Sequence, residues 1–179
     1  MPFSSTPFSA KFRRLMYGLF VWRKSHQHPP VLDVLKAMNF RVGKIDAAVD
    51  QLDWAIKLFL DHKAYVPAIT LAGAAEEIVG EAVSSESAFR KLKESLSTEY
   101  GIPGPILSQE YLNKAKNWLK HWKEMKDEEY IDIELETQAI MYIVRAVTNL
   151  AIHDKTATSE TPRFLTWLAE NRKDLTNGL

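Results

Sequence analysis

The stretch KIDAAVDQLDWAIKLFLDHK, residues 44–63, constrains the fold more than any other part of the chain. Ile45, Ala48, Val49, Leu52, Ala55, Ile56, Phe59 and Leu60 recur there at steps of three and four. On a helix of 3.6 residues per turn these side chains share one face, whereas a strand would divide them between two. Comparable spacing returns in AITLAGAAEEIVGEAV (residues 68–83), in a shorter segment ending near Gly101, from Ser108 to about Met125, from about Ile133 to His153, and after Thr161. No run shows the period of two that a half-buried strand needs. The sequence therefore predicts an all-α fold, a single antiparallel helical bundle of five or six helices with an N-terminal helical extension.

Local signals set the expected boundaries. GIPGPI (residues 101–106) reads as a loop, because Pro103 and Pro105 lack N–H donors and restrict the residues before them. Ser108 reads as an N-cap, and Thr161 as another with Pro162 at the first helical position. Gly73 and Gly80 sit inside the alanine-rich segment, where each costs ~1 kcal/mol relative to alanine. Close packing at the centre of the bundle is the compensation to expect.

Charge divides the chain in two. Lys plus Arg equals Asp plus Glu, 23 against 23, so no global field favours nucleic acid or an anionic membrane. Yet residues 11–44 carry Lys11, Arg13, Arg14, Arg23, Lys24, Lys36, Arg41 and Lys44 against the single acid Asp33. Residues 1–40 thus read as a basic N-terminal extension and 41–179 as the helical bundle domain. The extension suits nucleic acid or an acidic protein partner, or, as the preferred reading, a swapped arm that completes a homodimer. The absence of cysteine excludes disulfides, thiolate metal sites and cysteine nucleophiles. With no apolar run long enough to span a membrane, a cytoplasmic protein is expected.

Lys44, Asp46, Ala47, Gln51, Leu52, Asp53, Ala55 and Ile56, then Thr70, Leu71, Ala72, Ala74, Ala75, Glu77 and Ile78, then Asn117, Lys120 and His121, form a pattern. It resembles that of a family of uncharacterised small all-helical bacterial proteins over roughly residues 40–153. The resemblance implies a shared helical fold and carries no activity with it. After His121 the family's Ala-Asp-Arg-Asp-Pro turn is replaced here by WKEMKD. The segment KNWLKH is also similar to the arginine-to-histidine mark of HEPN domains, helical bundles that often dimerise and include metal-independent ribonucleases. Lysine stands here in place of the arginine. Arg145 and His153 offer a second pair, but with seven intervening residues, one too many.

That resemblance implies catalysis at Lys116, Asn117 and His121. Asn117 and His121, at i and i+4, share a helix face, and a histidine beside a cation keeps its neutral, proton-accepting form. Lys120, Glu77 and Glu136 are the accompanying ligand-binding residues. In the opposing reading His121 caps the wet edge of an apolar face, and the lysines are solvent charges. Glu76 and Glu77 lie inside an alanine-rich helix, where a carboxylate needs a partner. A site of Glu77, Glu136 and His121 would suit a metal, but no Glu-x-x-His pair of the di-iron bundles occurs, so no metal and no cofactor are expected. Asn149 and His153 repeat the i, i+4 pairing near a helix C-terminus, where a structural role suffices. The tryptophans read as core or interface anchors. Two functions follow: a non-catalytic binding or regulatory module, or a HEPN-like protein that processes RNA or binds a nucleotide. Whether the chain is an enzyme stays open at this stage.

Overall fold

The computed structural model describes residues 40–120, 129–153 and 158–176. The chain divides into two units, 1–41 and 42–179, and the architecture below is that of the second. Among the described residues every regular element is helical. Helix α1 (Lys44–His62) buries Ala48, Leu52, Ala55, Ile56 and Phe59, the stripe its spacing predicts. It stops where Lys63 turns into the left-handed region at φ 51° and its N–H returns to the Leu58 carbonyl. Helix α2 (Tyr65–Val83) starts after one further residue. Tyr65, Val66 and Pro67 are therefore helical rather than part of a turn. Pro67 sits in the first turn, where a missing N–H costs nothing.

Helix α2 occupies the centre. It packs along α1 on one side and along α6 (Leu135–Ile152) on the other. Contacts run in the same order along both helices: Tyr65 meets Glu136, and Glu76 meets Arg145. Helices α2 and α6 are thus parallel, not antiparallel as expected of the bundle, because they are not consecutive in the chain, whereas α1 and α2 double back across Lys63 and Ala64. Leu52, Ile56 and Phe59 from α1, Ile69 and Val79 from α2, and Tyr142, Ile143 and Leu150 from α6 fill the space between them.

A short 3-10 turn, Ser84–Glu86, leads to α3 (Ala88–Tyr100). Ser84 has φ 53° and ψ −116°, a conformation that residues with a side chain rarely take. Ser87 caps α3 through its Oγ, which accepts from the Arg90 N–H, and Gly101 ends it at φ 66°. Phe89, Leu92 and Leu96 are half-buried, and α3 has no fully buried residue.

The expected loop GIPGPI is in part a helix. Pro103 caps α4 (Gly104–Ile106), with Pro105 in its first turn. The chain then continues as a π-helix over Leu107–Leu112, so Ser108 lies inside a helix and caps nothing. The two prolines mark a start that was read as a break. After Asn113 comes α5 (Lys114–Lys120). Residues 121–128, which the predicted helix to Met125 would include, lie outside the described residues.

Glu134 caps α6 with both carboxylate oxygens, accepting from the N–H groups of Glu136 and Thr137. Helix α7 (Thr161–Asn171) begins one residue earlier than expected, with Thr161 its first residue and Glu160 at the capping position. Phe164 and Trp167 meet the Phe59 ring edge-on at 5.7 and 4.8 Å. A last turn, α8 (Lys173–Thr176), follows, with Arg172 paired to Glu136 just before it. No described helix is long and apolar enough to cross a membrane.

Candidate functional site

Where the π-helix gives way to α5, a side chain enters the helical ladder. In an uninterrupted α-helix the Leu112 carbonyl would accept from the Lys116 N–H. Here the Tyr142 hydroxyl stands between them, donating to Leu112 O at 3.0 Å and receiving the Lys116 N–H at 3.4 Å. Insertion of this kind breaks the i→i−4 pattern and bends the chain. Burial pushes the Tyr142 phenol above its ordinary pKa, although the Arg145 guanidinium pulls the other way, so the hydroxyl keeps the proton it donates. Arg145 uses the same buried carbonyl, its Nη1 donating at 3.1 Å, while its Nη2 reaches Asn113 Oδ1 at 3.2 Å.

Arg145 also pairs with Glu76, Nη2 to Oε1 at 2.9 Å, and both side chains are 5% exposed. Its guanidinium lies 4.8 Å from the Phe89 ring centre and 4.9 Å from that of Tyr142. A planar cation held against two rings and bonded at its edge has little freedom left. Lys116 Nζ approaches the other Glu76 oxygen at 3.5 Å and Glu77 Oε2 at 3.7 Å. Glu77, 58% exposed, is held mainly by Lys120 at 3.0 Å. The Lys120 hydrogen bond, then the Lys116 charge, hold its carboxyl below the usual glutamate range against a partial burial cost. Asn149, fully buried, ties the floor together. Its Nδ2 donates to the Glu76 carbonyl at 3.2 Å, and its Oδ1 accepts from the Ala88 N–H at 2.7 Å.

The two interior glycines of α2 make room for these groups. A Cβ at Gly73 would lie 2.7 Å from Lys116 Cδ, and one at Gly80 would lie 3.2 Å from Asn149 Nδ2. Their compensation is space for polar side chains rather than a neighbouring backbone. Above the network opens a cleft of about 370 Å³, walled by α2 (Glu76, Glu77, Gly80, Glu81), by α3 (Phe89, Arg90, Lys93, Glu94) and by Asn113, Lys116 and Arg145. This is the size of a small-molecule site.

The predicted site residues are only partly gathered here. Lys116 points inward and is buried, Asn117 is exposed, and Lys120 sits at the rim. His121 lies outside the described residues. Glu136 belongs to a different corner, where it accepts from Tyr65 Oη at 2.9 Å and pairs with Arg172. Twelve residues of α2 separate Tyr65 from Glu77, about 18 Å along the axis, so the two carboxylates do not share a site. Among the described residues no group of three histidines, aspartates or glutamates is placed to hold a metal.

Sequence reasoning takes Arg145 only as a partner for His153, gives Tyr142, Asn113 and Phe89 no part in a site, and favours Glu77 over Glu76. One signal was present. Ala68, Ile69, Ala72, Ala75, Glu76 and Val79 form a single helical stripe, and Glu76 belongs to it while Glu77 does not. Likewise Tyr142, Arg145 and Asn149 recur at three and four along α6.

Fold and site together define an all-helical protein with a charged cleft built on a buried ion pair. Comparison with protein-family models, with curated proteins and with solved structures finds no match.

Proposed function

We propose that the chain is a non-catalytic binding or regulatory module that works through this cleft. The observation that carries the reading is the divergence of Lys116 and Asn117. One is buried against Glu76 and the other faces solvent, so the pair does not converge on a common reacting atom. The resemblance to HEPN domains, which often dimerise, supports a homodimer, and a cytoplasmic location is part of the same proposal. Exposed Trp54 and Tyr111 are suitable anchors for a second copy.

The test sets this module against the HEPN-like alternative, RNA processing or nucleotide binding through Lys116, Asn117 and His121. RNA cleavage and RNA binding are measured for the wild type and for His121→Ala. Both proteins are expected to leave RNA intact and to behave alike. Cleavage by the wild type that disappears in His121→Ala would overturn the module and install the RNA-processing reading.

A further inference from the structure

The charges around the cleft do not pair off evenly. Glu76 takes Arg145 at 2.9 Å, and Glu77 takes Lys120 at 3.0 Å. Lys116 is left with one long hydrogen bond, 3.5 Å to Glu76 Oε2, an approach of 3.7 Å to Glu77 and a distant face of the Tyr142 ring at 5.9 Å, and both carboxylates already have closer cations. A charge-assisted N–H···O bond ordinarily closes to about 2.7–2.9 Å. With its side chain only 9% exposed, the ammonium draws little compensation from water. It carries three donors and lines the cleft.

We propose that the cleft binds one anionic oxygen group, a carboxylate or a phosphate, on Lys116 Nζ; the inference rests on the binding-module reading. Arg90 and Lys93 line the same cleft from α3 and add positive charge on the approach. Glu81 and Glu94 line it too, which limits the occupant. A compact ligand with a single anionic end reaches Lys116 between these carboxylates, whereas a polyanion would be repelled by them. The nucleic-acid backbone is therefore not the expected occupant.

The test is a backbone-amide NMR titration of the full chain in phosphate-free buffer at matched ionic strength. Four probes are added separately: inorganic phosphate, acetate, acetamide and methylguanidinium. Phosphate or acetate is expected to give saturable shifts at Phe89, Asn113 and Lys116, and the stronger of the two identifies the source. Lys116→Gln should weaken that binding at least about tenfold, the range of a charged hydrogen bond. Glu77→Gln removes an exposed competitor for Lys116, together with the partner of Lys120, and should tighten it about two- to fivefold. This second variant carries the test if Lys116→Gln does not fold. Shifts that persist in Lys116→Gln, or that fail to tighten in Glu77→Gln, would overturn the assignment to Lys116. Saturable binding of acetamide or methylguanidinium instead of the anions would overturn the ligand class and leave the module standing. Silence from all four probes overturns the anion site, while the module itself stands or falls separately on RNA cleavage.

Discussion

At the scale of single residues, the cleft floor depends on partners that cannot be removed one at a time. Arg145→Met would leave Glu76 buried without its closest cation and strip a donor from Leu112 O. A loss of about 3–5 kcal/mol is expected, measured by urea denaturation, against less than about 0.5 kcal/mol for Asn117→Ala on the exposed face. Tyr142→Phe keeps the ring but leaves the Lys116 N–H without its acceptor. It should cost about 1–3 kcal/mol by the same measurement. Equal midpoints for Tyr142→Phe and wild type would show that the inserted hydroxyl contributes nothing. Residue identity was the least legible level in the sequence. Glu76 and Glu77 differ by one step of about 100° around α2, and only the fully traced stripe says which one faces in. Arg145 was weighed only for its distance to His153, although its place in the 142, 145, 149 series pointed inward.

At the scale of elements, the sequence was most readable where apolar spacing alone decides. Helices α1, α2 and α6 stand where their periods put them, because burial of a continuous stripe outweighs local preferences. The segment from 101 to 113 was misread for a local reason. Prolines in a first turn and prolines in a loop look the same until the neighbouring helix is placed, and the break after the π-turn is bridged by a hydroxyl 30 residues away. The glycines of α2 belong to this scale as well. Gly73→Ala gains ~1 kcal/mol in helix propensity but drives a Cβ into the buried stem of Lys116. The clash should prevail and leave the variant about 1–2 kcal/mol less stable in chemical denaturation. A more stable Gly73→Ala would mean that Lys116 moves aside freely.

For the whole molecule, titration brackets the range of stability. The carboxyls of Asp61, Glu77, Glu134 and Asp174 are held low, first by hydrogen bonds from Arg163, Lys120, Thr137 and Arg172 respectively. A lowered folded pKa contributes stability above the unfolded value, and that contribution is lost as pH falls through the folded one. Stability should therefore decline below the ordinary values of 4.5 for Glu and 3.8 for Asp. Tyr65 and Tyr142 are raised, chiefly by burial. Their contribution is complete below the ordinary value of 10.0 and disappears as pH rises through the higher folded values. Urea midpoints from pH 3 to 11 should trace a plateau with both edges, and Glu134→Gln should soften the acid edge. The π-helix adds a constraint on chain length. An i→i+5 turn holds one residue more than an α-turn, so the segment 107–112 carries a surplus of one. Remove a residue there and the ladder can heal, returning the Lys116 amide to its own helix. Tyr142 and Arg145 would then lose the carbonyl they share, with every charged group of the cleft still present. Spacing, as much as chemistry, holds this floor together.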